Sequence, residues 1–129
     1  MILGIGIDST EISRFTKWAA RPRQELLKIF SEHEIEYCLA NPKKSTERFA
    51  ARFAAREAFY KAFCQMVPGH KIPFLTLCKA IWIESTENQP PRLKAGWKEL
   101  SIENYPKTWI SITHTASEAT AIIVLEKID

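Results

Sequence analysis

The sequence predicts an α+β fold, with helices packed on an antiparallel sheet. Three observations carry that expectation. Helix signals crowd the first half of the chain, including two capping-box patterns and a long alanine-aromatic run, FAARFAAREAFYKAF, from Phe49 to Phe63. After Pro73 the texture changes to short apolar stretches with period-two alternation. The chain then closes on two such stretches around Thr115-Ala-Ser-Glu118, a hairpin signature. Helices first and strands later, without regular interleaving, argue for α+β over α/β. With 129 residues, the simplest organisation is one domain spanning 1–129.

In order along the chain, Ile2 to Ile7 reads as a strand, with Leu3, Ile5 and Ile7 on one face and Gly4, Gly6 and Asp8 on the other. Glycine within a strand often marks close approach by another backbone or a ligand. Asp8-Ser-Thr-Glu11 has the form of a capping box, so a helix is expected there, carrying Ile12, Phe15 and Trp18. Pro22 interrupts it, and Arg23 to Phe30 resumes it. Ser31-Glu-His-Glu34 opens a second short helix through Ile35 and Leu39, and Asn41-Pro-Lys-Lys-Ser45 is a basic turn. The long helix runs from about Thr46 to about Gln65 and ends at Pro68-Gly69. Strands are expected over roughly Thr76 to Glu84 and through Leu93, with a turn at Asn88-Gln-Pro-Pro91 between them. Ser101 to Tyr105 is ambiguous, and Trp109 to Thr113 pairs with Ala119 to Glu126.

A net charge of +3 is small for a nucleic-acid-coating protein but leaves room for local basic patches that meet phosphates or an acidic protein. The apolar opening meets Asp8 at once and has no basic leader, which argues against a signal peptide or membrane span. Cys38, Cys64 and Cys78 are odd in number and lack metal-ligand spacing, so they read as reduced, mostly buried thiols of a cytoplasmic protein.

The long helix raises the chemical question. Arg48, Arg52 and Arg56 share one stripe, and Phe49, Phe53 and Tyr60 share another. Glu57 falls opposite Arg48, with Lys61 one turn on. Two readings stay open: an exposed i,i+4 ion pair worth about 0.2–0.5 kcal/mol, or a carboxylate facing a cleft and holding a cation. Asp8 is the best-placed second carboxylate, although it serves equally well as a helix N-cap. One carboxylate from each of two elements, with open positions, is how Mg²⁺ is usually held beside phosphates. His114 shares a strand face with Ile110 and Ile112, either as an edge residue or as a phosphate donor. Lys43, Lys44, Arg48 and Arg52 form a solvated face or, given a metal, a phosphate-binding rim. Arg14, Lys17 and Arg21, at i, i+3 and i+7 with Trp18 alongside, form a basic face that suits solvent or an acidic helical partner.

Four blocks, in this order, resemble the holo-acyl-carrier-protein synthases, the small class of 4'-phosphopantetheinyl transferases. They are GIGIDSTEISRF from Gly4, FSEHEIEYC from Phe30, RFAAREAFYKAF from Arg52, and SITHT from Ser111 running into ATAIIVLE from Ala119. The resemblance covers nearly the whole chain except the loop from Val67 to Phe74. It implies the 4'-phosphopantetheinyl transferase fold and transfer of the phosphopantetheine arm of coenzyme A to a serine of apo-acyl carrier protein, releasing adenosine 3',5'-bisphosphate. By motif position it implies that Asp8 and Glu57 bind Mg²⁺ and that Lys61 sits near the pyrophosphate. Arg52 and His114, with Lys44, Arg48 and Thr115, would hold the nucleotide. It further implies a homotrimer with sites between subunits, and a carrier protein meeting Arg14, Lys17, Trp18 and Arg21. Arg56 stands where the family usually has lysine, and Thr115 where serine is usual. The competing class, a nucleic-acid-binding module using the arginine stripe, is disfavoured by the modest charge.

Overall fold

In the computed structural model, which describes residues 1–86 and 88–129, two elements organise everything else. One is the helix α3 (Ser45–Met66), and the other is a strand laid against it, β1 (Ile2–Glu11). Their contact depends on small residues. Ala54, Ala55, Ala58 and Ala62 of α3 are buried, and Gly4 and Gly6 of β1 are buried against them. A Cβ built on Gly6 would stand 1.8 Å from the Ala58 carbonyl oxygen, and one on Gly4 2.1 Å from that of Ala62. The backbone approach expected from the strand glycines is therefore that of a helix. Gly6→Ala is expected to cost about 3 kcal/mol or more, because the obstructing atom belongs to a helix backbone that cannot swing aside. Chemical denaturation would measure it, and a variant within experimental error of the parent would refute this packing account.

The remaining helices are α1 (Arg23–Leu26), α2 (Glu32–Leu39) and α4 (Phe74–Ala80). The strands are β2 (Ile81–Thr86), β3 (Gln89–Ala95), β4 (Lys107–His114) and β5 (Glu118–Glu126). They form two antiparallel sheets, one ordered β1-β5-β4 and the other β2-β3. In the first, Asp8 is level with Ala121 of β5, and Ala121 with Ile112 of β4. Its inner face (Ala121, Ile123, Leu125) joins Phe59, Phe63, Leu77, Ile83 and Trp97 in one core. Phe15, Leu26, Phe30, Ile35 and Phe49 form a second core at the other end of α3.

Gln89-Pro-Pro91, expected as part of a turn, lies in β3, and the structure corrects two further expectations. Asp8-Ser-Thr-Glu11 does not cap a helix: β1 continues to Glu11, paired with Glu118, and only 3-10 turns follow, at Ile12–Phe15 and Trp18–Ala20. Cross-strand pairing prevails over the local cap because β5 offers every residue of that segment a partner. Second, Thr76 to Ala80 is helical, not strand. Pro73 precedes the first turn of α4, the Leu77 N–H donates to the Pro73 carbonyl, and Leu77 and Cys78 are buried. The second capping box is present as read: Ser31 Oγ accepts from the Glu34 N–H, and the Glu34 carboxylate accepts from the Ser31 N–H. The three cysteines are free. Burial pushes the thiols of Cys38 and Cys78 up to about 12. Among the described residues, no helix is long and apolar enough to cross a membrane.

Candidate active site

Asp8 and Glu57 meet. β1 brings Asp8 to the flank of α3 where Glu57 projects, and their proximity shows in the acidity of Glu57. Partial burial and the Asp8 carboxylate beside it raise its pKa, while Arg14 and Lys61 pull it back only in part. Lys61 pairs with Asp8 and not with Glu57. Its Nζ donates to Asp8 Oδ1 at 3.2 Å and to the Ile7 carbonyl at 2.9 Å. The exposed i,i+4 pair that the helix spacing allowed is therefore not what forms. Asp8 Oδ2 is buried and has no hydrogen-bond partner among the described residues. Two carboxylates pressed together, one with an unpartnered buried oxygen, are what a divalent cation would relieve. Among the described residues, no cluster of three or more metal-ligating side chains exists.

The basic residues gather elsewhere. Lys44, Arg48, Arg52 and His114 line one cavity of about 290 Å³, together with Tyr37, Glu47 and Ser85. Arg52 is buried. Its Nη2 donates to Ser85 Oγ at 2.7 Å and its Nη1 to the Arg48 carbonyl at 3.3 Å. Its Nε has no partner among the described residues. His114 Nδ1 lies 3.4 Å from Glu47 Oε2. Thr115, with His114, Lys43 and Glu47, lines an adjoining cavity of about 420 Å³. The Thr115 hydroxyl accepts from the N–H groups of Ser117 and Glu118, so it also shapes the hairpin turn.

The carboxylate pair and this basic cavity do not face one another within a chain. Glu57 lies nine positions after Arg48, roughly 180° around α3 and about 13 Å along it. One set opens on the free edge of β1, the other between α2, β2 and β4.

Arg14, Lys17 and Arg21 are exposed, but the continuous helix that would have aligned them is absent. Arg14 Nη1 donates to Thr10 Oγ1 at 3.1 Å, and its charge acts on Glu57. The Arg21 guanidinium stacks over Trp18, 4.4 Å from the ring centroid. Trp18 itself is half-buried, packing on Phe15, Phe30 and Phe53 with centroids at 4.7, 5.8 and 6.1 Å. Its inner face is core and its outer face holds Arg21.

Sequence reasoning missed one buried ion pair entirely. Arg56, the last member of the arginine stripe, is fully buried with Glu34, Nη2 to Oε1 at 2.6 Å and Nη1 to Oε2 at 2.9 Å. Its Nε donates to the carbonyls of Ile29 and Cys78, and Nη2 also donates to that of Ile81. Glutamate at the third position of a capping box masked this second use, since the local pattern already explained it. Tyr37 and Ser85 were also missed, because no local spacing links them to Arg52.

Comparison with known proteins identifies the family. Residues 4–123 match the model of the 4'-phosphopantetheinyl transferase superfamily. A holo-[acyl-carrier-protein] synthase of Geotalea daltonii is 36% identical over 98% of this chain and 100% of its own length. That of Bacillus subtilis is 34% identical over 99% and 98%. Among solved structures, a holo-(acyl-carrier-protein) synthase from Bacillus anthracis in complex with CoA (3',5'-ADP) is similar with a TM-score of 0.72 and 29% identity, over 99% of each chain. With two full-length relatives above 30% identity and a family match over almost every residue, the chain belongs to the holo-[acyl-carrier-protein] synthases of the 4'-phosphopantetheinyl transferase superfamily.

Proposed function

We propose that the protein transfers the 4'-phosphopantetheine of coenzyme A to a serine of apo-acyl carrier protein. The observation that carries this reading is the convergence of Asp8, Glu57 and Lys61 from β1 and α3, in a chain whose relatives carry the name of that reaction. The serine oxygen forms a bond to the phosphorus bearing pantetheine. The anhydride bond to the nucleotide breaks, and adenosine 3',5'-bisphosphate leaves with the electron pair. Glu57 takes the serine proton through an intervening water. Lys61, held by Asp8 and the Ile7 carbonyl, offsets charge on the leaving phosphate. Arg52, Arg48, Lys44 and His114 bind the nucleotide's phosphates, with Thr115 at the rim. Mg²⁺, held by Asp8 and Glu57, would neutralise pyrophosphate oxygens.

The separation of the two sets around α3 supports a site assembled from two subunits. The outer face of the β1-β5-β4 sheet offers the surface for that assembly. Ile5 (47% exposed), Ile7 (58%) and Trp109 (49%) stand there in register with the half-exposed Ile122 and Val124. A homotrimer covering this face would bring the basic cavity of one subunit to the carboxylate pair of the next. The protein acts in the cytoplasm, where coenzyme A and reduced thiols coexist.

Intact-mass spectrometry of an apo-carrier incubated with the protein, coenzyme A and Mg²⁺ tests the reading. A carrier gaining the phosphopantetheine mass supports it, and an unmodified carrier across several pH values, with Mn²⁺ tried as well, refutes it. Arg21→Glu is the cleaner test of the carrier face, since Arg14 also influences Glu57. It should raise the carrier's KM by roughly tenfold through lost charge complementarity and leave that for coenzyme A unchanged. Equal losses for both substrates would contradict the assignment.

A further inference from the structure

Two guanidiniums of like charge sit side by side in the basic cavity, and one ring touches both. The Tyr37 centroid is 3.9 Å from Cζ of Arg48 and 4.5 Å from Cζ of Arg52. Arg48 Nη1 also donates to the Tyr37 carbonyl at 2.7 Å. Tyr37 belongs to neither apolar core, and its ring is half-buried at the cavity wall. Among the described residues, no carboxylate lies within ion-pair distance of either arginine. The acidic group one turn from Tyr37, Glu34, is occupied by Arg56.

We propose that Tyr37 is a positioning residue of the nucleotide site. Its ring clamps Arg48 and Arg52 so that their free N–H groups converge on one phosphate of coenzyme A. The inference rests on the functional reading above. Physically, the electron-rich face of the ring attracts both cations, offsetting their mutual repulsion. Stacking also removes rotamer freedom before the anion arrives, so less is lost on binding. Ser85 Oγ fixes the far side of Arg52. The ring is what matters, not the hydroxyl.

Calorimetry with adenosine 3',5'-bisphosphate, alongside coenzyme A kinetics, distinguishes the roles. Tyr37→Phe should bind within about twofold of the parent, whereas Tyr37→Leu should bind roughly tenfold more weakly. The loss should appear in the KM for coenzyme A, with kcat and the carrier's KM unchanged, as expected for uniform binding. Leu binding like the parent, Phe losing as much as Leu, or kcat falling at unchanged KM would each overturn the proposal. A measurement on the unmutated protein covers a Leu variant that does not fold. The Nε–H resonances of Arg48 and Arg52 should carry upfield ring-current shifts and move together on nucleotide addition, and shifts like those of the exposed Arg23 would overturn it. Parent protein that does not bind the nucleotide removes the functional reading and this inference with it. Binding that is indifferent to Tyr37 removes the inference alone.

Discussion

Glu57→Gln is expected to lower phosphopantetheine transfer by on the order of 10²–10⁴-fold and, at the same time, to raise the thermal midpoint of the metal-free protein. The two effects share one cause. Burial, together with Asp8, raises the Glu57 pKa, so ionising this carboxyl costs the folded protein stability that the unfolded chain does not lose. The sign follows from linkage. Below its ordinary value near 4.5, Glu57 is protonated folded or unfolded and costs nothing. As pH rises toward the raised folded value, the unfolded chain ionises first and stability falls, and above that window the loss persists. Glutamine removes it. Calorimetric melts without metal and transfer assays with it measure the two effects separately. A variant that is inactive but no more stable would show that the carboxylates do not repel. An active variant would remove Glu57 from the chemistry. The same shift places the acid limb of the activity above the ordinary carboxylate range at limiting Mg²⁺, and saturating Mg²⁺ should move it to lower pH. A limb indifferent to Mg²⁺ would separate the metal from Glu57.

Much of this site was legible in the sequence because it depends on local regularities. The 3.6-residue repeat put Glu57 opposite Arg48, and the strand's alternation put Asp8 on the face of Gly4 and Gly6. That face meets α3 because glycine and alanine let the backbones touch. The exposed Ile5 and Ile7 follow from the same alternation. What stayed hidden depended on partners distant in the chain. Asp8-Ser-Thr-Glu11 satisfied a helix-start rule, yet β5 supplied a competing ladder that no local rule could weigh. Thr76 to Ala80 alternated weakly enough to pass for a strand, and only burial of Leu77 and Cys78 against α3 made it helical. Arg56 looked like one more rung of a basic stripe. Its carboxylate lies 22 residues away, in a segment already explained as a cap.

That pair leads to the largest stability effect expected in the molecule. Glu34 and Arg56 are fully buried, so each charge depends on the other. Burial pushes the Glu34 pKa up, but the Arg56 charge and the hydrogen bonds from Arg56 and Ser31 outweigh it, holding the carboxyl below its usual range. Glu34→Ala strands the guanidinium in the core and should cost about 3–5 kcal/mol. Ser31→Ala, which removes only the cap hydroxyl, should cost about 1 kcal/mol. This gap separates the two functions of the motif SEHE. Arg56→Lys keeps the charge alone. It cannot serve the carbonyls of Ile29, Cys78 and Ile81 together with both Glu34 oxygens, and each orphaned group costs about 1–3 kcal/mol. Because the folded pKa of Glu34 is depressed, the pair's contribution is complete above the ordinary carboxylate value and is lost as pH falls through the folded one. The parent should therefore lose stability in acid more steeply than Glu34→Ala. Denaturant titrations between neutral and acid pH measure this directly. Parallel curves, or equal costs for Glu34→Ala and Ser31→Ala, would mean that the carboxylate caps α2 and contributes nothing through Arg56.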